Sequence, residues 1–161
     1  MEPPFKILFV CMGNICRSPA AEGVMRQLVE EQGLLGRVVV DSAGTGGWHS
    51  GNLPDERMVK HAAKRGYVLD SRARQVRESD FENFDLLLVM DRQNLREIRP
   101  FADRPQQMQK VRLFCEFAKD REEKEVPDPY YGGDDGFEQV LDIVENGCQH
   151  LLKYIRQKNH A

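Results

Sequence analysis

The apolar positions of this chain fall into two rhythms. Short continuous runs occupy Phe5-Lys6-Ile7-Leu8-Phe9-Val10, Arg37-Val38-Val39-Val40-Asp41-Ser42, Asp85-Leu86-Leu87-Leu88-Val89-Met90 and Val111-Arg112-Leu113-Phe114-Cys115. Runs of this kind, bounded by polar residues, predict strands covered on both faces. Between them the spacing becomes helical. Ala21, Val24, Met25, Leu28 and Val29 mark a helix over about 19–32 that ends at Gly33. A second helix is expected from Pro54 to Lys64, with Gly66 as its C-cap. Ser79-Asp80-Phe81-Glu82 has capping-box spacing for a short helical turn, and Asp91 caps a helix that stops at Pro100. Phe137, Val140, Leu141, Val144, Cys148, Leu151, Leu152 and Ile155 then mark a long final helix with one apolar face.

Strands alternating with helices imply right-handed crossovers and a mostly parallel sheet, an α/β fold. Such sheets place their sites at the carboxyl ends of the strands. Cys11, the glycine-rich loop after Ser42 and the turn after Met90 would share that edge. No repeat, low-complexity tract or linker interrupts the 161 residues, so a single domain over 1–161 is expected.

Composition narrows the class. Hydrophobic residues make up 40% and charged residues 30%, the balance of a globular protein, and the net charge of −3 gives nucleic-acid binding no support. No run of about 18 apolar residues and no leader pattern is present, so no membrane association is expected and the cytoplasm is the default. Four cysteines, at 11, 16, 115 and 148, do not form a disulfide framework, and a reducing compartment suits a working thiolate. Zinc is not expected. Cys11 and Cys16 lack a second ligand pair at matching spacing, and His49, His61, His150 and His160 are scattered.

The chemistry concentrates in Val10-Cys11-Met12-Gly13-Asn14-Ile15-Cys16-Arg17-Ser18-Pro19. A strand enters this stretch and a helix leaves it. Ser18 followed by Pro19 reads as an N-cap with proline at the first helical position. Loop N–H groups would converge where the helix dipole is positive, which makes an anion site. Gly13 and Asn14 can take a positive φ to shape the loop. Cys11 at the strand end would be favoured as thiolate, and Arg17 can fold back to clamp two phosphate oxygens. A thiolate, an N–H cradle and a guanidinium are what phosphoryl transfer to sulfur needs. The bare Cys-x5-Arg pattern is common by chance; its strand–loop–helix context is not.

Further along, Asp128 stands between Pro127 and Pro129 on stiffened backbone, with Gly132-Gly133 nearby. An aspartate between prolines is most often a turn former. It could also protonate a leaving phenolate and later orient water. Cys16, five residues from Cys11, is either a buried loop filler or a partner for a reversible disulfide that shields Cys11.

These residues together resemble the low-molecular-weight protein tyrosine phosphatases. The resemblance runs from Val10–Pro19 through Asp41-Ser42-Ala43 and Arg74-Gln75 to Met90-Asp91 and Asp128-Pro129-Tyr130-Tyr131. It implies a four-stranded parallel sheet flanked by helices, with the phosphate-binding loop after the first strand. It implies Cys11 as the nucleophile, Arg17 as the phosphate clamp and Asp128 as the general acid. Met12, Gly13, Asn14, Ile15, Cys16 and Ser18 would complete the loop, Asn14 holding it with Ser42 among its partners and Ser18, besides capping, able to donate to the Cys11 sulfur and favour the thiolate. Trp48, Tyr130 and Tyr131 would wall the substrate ring, which Ile15 would also touch. The implied substrate is a phosphotyrosine-containing protein or a small aryl phosphate, handled without a cofactor or metal by a monomer.

Some positions depart from the family pattern. Ser71 stands where many members have a histidine bracing the loop, and His49 and Asn52 differ from some vertebrate relatives. Rival readings are weaker. An arsenate reductase would need another cysteine between Arg17 and Phe114. A protein arginine phosphatase of the same family would have threonine in place of Ile15. A non-catalytic phosphopeptide-binding module has no use for Cys11, Arg17 and Asp128 together.

Overall fold

A computed structural model describes residues 3–159; His160 and the chain ends lie outside them. The four strands are β1 (Phe5–Cys11), β2 (Val38–Gly44), β3 (Leu86–Val89) and β4 (Val111–Leu113). They pair in the order β2-β1-β3-β4, every pair parallel. The helices are α1 (Arg17–Glu31), α2 (Glu56–Lys64), α3 (Asp80–Asn83), α4 (Arg92–Ile98) and α5 (Asp134–Asn159).

The unbroken apolar runs follow from the two-sided cover. Side chains alternate faces along a strand. Ile7, Phe9, Leu88 and Met90 enter the cluster built with α1 and α5, while Leu8, Val10, Leu87 and Val89 enter the one with Phe81, Phe84 and Ile98. Every helical-spacing position of the final helix is buried, from Phe137 to Ile155.

Several element ends differ from the expected ones. β1 and β2 each run further, pairing Cys11 with Gly44, so the sheet reaches into the loop after β1. β4 stops at Leu113 because Phe114–Glu116 tightens into a 3₁₀ turn. Pro54 lies outside α2, whose N-cap is Asp55 accepting the Arg57 N–H. Ser79 makes no capping bond; Asp80 accepts from the Arg77 N–H instead. Gly33 (φ +70°) and Gly66 (φ +90°) follow their helices in the left-handed region, where a Cβ is penalised.

Two long-range ties set the sheet edge that carries the loops. Val126, fully buried, donates its N–H to Met90 O at 2.9 Å, returning the chain to the end of β3. Arg65, the C-cap of α2, pairs with Glu138 (2.7 Å), Asp142 (2.9 Å) and Glu145 (2.6 Å) of α5, and His61 of α2 pairs with Glu138. Burial alone would lower the Arg65 pKa; the bonds to Glu138 and Asp142 and the Glu145 charge raise it instead. Among the described residues no helix is long and apolar enough to cross a membrane.

Gly147 tests the packing of α5. A Cβ there would lie 2.3 Å from the ring of Phe114, which is fully buried. Alanine's helix propensity favours the replacement by about 1 kcal/mol, but overpacking a core costs roughly 1–3 kcal/mol. Gly147→Ala is therefore expected to lower Tm, as thermal melting will show.

Candidate active site

The end of β1, the loop that follows and the start of α1 enclose a cavity. Cys11, Met12, Gly13, Ile15, Cys16 and Arg17 line it from below, with His49, Asp128, Tyr130 and Tyr131 above.

The loop's carbonyls turn outward to neighbours. Cys11 O accepts from Thr45 N–H (2.9 Å), Met12 O from Gly46 N–H (2.9 Å) and Ile15 O from Asp55 N–H (2.7 Å). Among the described hydrogen bonds none uses a backbone N–H of residues 12–16 as donor, so those groups can serve an anion. Gly44 makes this approach possible: a Cβ there would sit 2.7 Å from Met12 O and 3.2 Å from Asn14 Cβ.

Of the two loop residues expected at positive φ, only Asn14 adopts it, at 58°. Its amide donates to Ser18 Oγ (2.7 Å) and Ser42 Oγ (3.0 Å), and its carbonyl accepts the Arg74 N–H (3.0 Å). The side chain thus holds three segments around a strained residue. The Ser42 hydroxyl in turn donates a hydrogen bond to Glu22 Oε1 at 2.5 Å. Arg74 is fixed from behind by Asp80 (3.0 Å) and Asp41 (3.1 Å). No described hydrogen bond involves Ser71; these groups brace the loop.

Ser18 is not the N-cap. The helix begins at Arg17, and Cys16 occupies the cap position without a side-chain bond. With Asn14 donating to it, the Ser18 hydroxyl is free to direct its proton at Cys11 Sγ, 3.0 Å away. Pro19 still lies in the first turn, where no intrahelical N–H is lost.

Arg17 is almost wholly buried. Its Nη1 donates to Asp91 Oδ2 (2.6 Å) and Val126 O (3.0 Å), and its Nη2 lies 3.7 Å from Asp128 Oδ2. Burial alone would lower the Arg17 pKa; the Cys11 sulfur and then Asp91 raise it above the ordinary arginine value. Asp91 serves twice, since its Oδ1 also caps α4 by accepting the Asn94 N–H at 2.7 Å. The sequence marks the cap; the hold on Arg17 joins positions 74 residues apart and leaves no local signal.

Asp128 is a turn former as well as a cavity residue. Its Oδ1 accepts the Tyr130 N–H at 3.0 Å, leaving Oδ2 on the Arg17 side. Tyr130 and Tyr131 meet edge to face at 5.0 Å. Trp48 departs from expectation. It is 71% exposed and does not line the cavity, because its ring lies against Gly46, where a Cβ would fall within 1.7 Å of it. His49 takes the wall position, its ring over Gly13 at 3.1 Å from where a Cβ would stand. Sequence reasoning also passed over Asp55 and Arg57, which lie in an ordinary helix start.

Cys11 and Cys16 are both free thiols. Burial, then the charges of Asp55, Cys11 and Asp128, push the Cys16 thiol far above its usual range. Burial, then Glu123, pushes Cys115 up to about 11, and burial also raises Cys148. Among the described residues no group of three or more His, Cys, Asp or Glu could hold a metal ion.

Comparison with known proteins agrees with this geometry. Residues 6–161 match the family model described as low molecular weight phosphotyrosine protein phosphatase. A Streptomyces coelicolor protein named low molecular weight protein-tyrosine-phosphatase is 46% identical over 156 residues, 96% of this chain and 95% of its own. A crystal structure of a protein tyrosine phosphatase from Entamoeba histolytica superposes with a TM-score of 0.92 at 43% identity, covering 96% of this chain and 99% of that one. A Drosophila arginine phosphatase structure is more distant, with 31% identity and a TM-score of 0.87 over 94% of this chain and 98% of its own.

Three substitutions test the loop's bracing. Asn14→Ala removes three hydrogen bonds, each worth about 1 kcal/mol, and places a Cβ residue at φ 58° without local bonds, a further cost of roughly 1–2 kcal/mol. Asn14→Gly keeps the φ and loses only the bonds, so urea unfolding is expected to rank it between wild type and alanine. Burial pushes the Glu22 carboxyl above its ordinary value of 4.5. Its contribution to stability is then full below that value and is lost as pH rises through the higher folded one. Glu22→Gln is expected to flatten this part of the stability profile, read from urea midpoints over about pH 4 to 8.

Proposed function

Because this chain belongs to the low molecular weight phosphotyrosine protein phosphatase family, we propose that it hydrolyses phosphotyrosine monoesters through a phosphocysteine formed on Cys11. The observation that carries the reading is the setting of Cys11 Sγ. It faces the Ser18 hydroxyl at 3.0 Å, and Arg17 beside it is held on Asp91 at 2.6 Å.

In the first step the Cys11 thiolate attacks phosphorus and an S–P bond forms as the P–O bond to the phenol breaks. The electron pair leaves on the phenolic oxygen, which takes a proton from Asp128. In the second step water attacks the same phosphorus and gives its proton to Asp128, and the S–P electron pair returns to sulfur. Loop N–H groups and the Arg17 guanidinium offset the charge on the equatorial oxygens in both steps. The Ser18 hydroxyl stabilises the thiolate at the start and again at the end.

Ile15, Tyr130 and Tyr131 favour an aryl phosphate, as a free small molecule or on a protein. Phosphoarginine is the second reading, raised by the arginine phosphatase neighbour. The apolar Ile15 supports the flat phenyl ring over a guanidinium. Four free thiols, Cys11 among them, support a reducing cytoplasm.

Phosphate release from phosphotyrosine, phosphoserine and phosphoarginine, measured in chelator, decides between these. Phosphotyrosine alone is expected to turn over, and a preference for phosphoarginine would overturn the specificity. Cys11→Ser should abolish turnover yet retain phosphate binding, while full turnover by that variant would sink the mechanism. Asp128→Ala should lower kcat on phosphotyrosine by roughly 10²–10⁴, the usual contribution of a positioned acid.

A further inference from the structure

Asp128 stands on a loop that the sheet does not contain. On its N-terminal side the loop is pinned through Val126, to Met90 O and to Arg17. On its C-terminal side the pin is Arg57, at the start of α2.

The Arg57 guanidinium donates from Nη2 to Tyr130 O at 3.0 Å and lies over the Tyr130 and Phe137 rings at 5.5 and 4.8 Å. Its Nε and Nη2 also hold both oxygens of Asp55, at 3.1 and 3.0 Å. The Asp55 backbone N–H in turn donates to Ile15 O at 2.7 Å, on the floor of the cavity. Tyr130 is bonded at both ends of its backbone. Its O accepts from Arg57, and its N–H fixes Asp128 Oδ1 at 3.0 Å. A continuous path therefore joins the floor that would seat the phosphate to the carboxyl above it.

We propose that Arg57 is a positioning residue for the phosphatase reaction, setting the height and orientation of the Asp128 carboxyl over the phosphate-binding loop. The proposal rests on the reading of Asp128 as the acid. A fork-shaped cation is needed because the same group must bind a carboxylate in two places and still reach a carbonyl. Arg57 is half exposed beside a mostly buried Asp55, so its own contribution to global stability is small and its loss can be read in kinetics.

The test is the rate of phosphocysteine formation, followed by burst kinetics across aryl phosphates of increasing leaving-group basicity, from p-nitrophenyl phosphate to phosphotyrosine. The full chain is compared with Arg57→Met, Arg57→Lys and Asp128→Asn. With an acid in place the rate depends weakly on leaving-group basicity; without one the dependence steepens. Arg57→Met is expected to lose about tenfold on phosphotyrosine, part of what a positioned acid supplies, and to lose little on p-nitrophenyl phosphate. Arg57→Lys, able to reach Tyr130 O but not to fork across Asp55, is expected to fall between Arg57→Met and wild type. An equal loss by Arg57→Met on every leaving group, beside a steepened Asp128→Asn, would overturn the positioning role alone. No steepening in Asp128→Asn would overturn the acid assignment and this proposal with it.

Discussion

A guanidinium inside a protein must be paired, and the pairing of Arg17 organises the rest of the site. Left without a partner, a buried charge is strongly destabilising. Asp91 answers it at 2.6 Å and the Val126 carbonyl at 3.0 Å. These groups come from different parts of the chain: the start of α1, the turn after β3 and the strap before Asp128. Satisfying one charge therefore brings three segments to one sheet edge. Asp91 can do this because it is already fixed as the cap of α4, with one oxygen on Asn94 N–H and the other left for Arg17.

The loop after β1 is held by a different means. No charge crosses it; instead Asn14 accepts a left-handed backbone, and its amide is consumed by Ser18, Ser42 and the Arg74 N–H. Behind these stand Glu22 on Ser42 and Asp80 on Arg74, both acids almost wholly buried. Strain of this kind persists only where the surroundings over-determine it. Turning the loop carbonyls outward is its return, since each N–H left facing inward is a donor an oxyanion can use.

Much of this was legible in the sequence, and what was not has physical reasons. The sheet could be read because strands buried on both faces must be apolar without a break, and the final helix because its one face shows the spacing. Cys11, Arg17 and the Asp91 cap follow from local pattern. Only the capping half of the Ser18 reading failed, because capping preference describes an isolated helix end, whereas here Asn14 and Cys11 claim the hydroxyl. Trp48 failed for a related reason: aromatic character suggests a wall, but Gly46 leaves a flat place for the ring outside the cavity. Asp55 and Arg57 were invisible because Pro-Asp-Glu-Arg is an ordinary helix start. Their importance lies in a contact with Tyr130, 73 residues away, that no local rule anticipates.

The two halves of the site are held by different contacts, and the proposed chemistry calls for that. On the proposed reading phosphate must meet the loop N–H groups, Arg17 and Cys11 in one geometry, and all of these are buried or set at strand and helix ends in a close-packed interior. On the proposed reading Asp128, as the acid, must approach the leaving oxygen and then leave room for the phenol to depart and water to enter. Its loop is fixed to the rigid frame through Val126 but bordered by Gly132 and Gly133, and beyond Tyr130 it is held by the half-exposed Arg57. That tether is a single hydrogen bond to a backbone carbonyl, weak enough to break and directional enough to restore the same position. Placing the cradle on the sheet and the acid on a tethered loop thus separates charge stabilisation, which needs preorganisation, from product release, which needs movement.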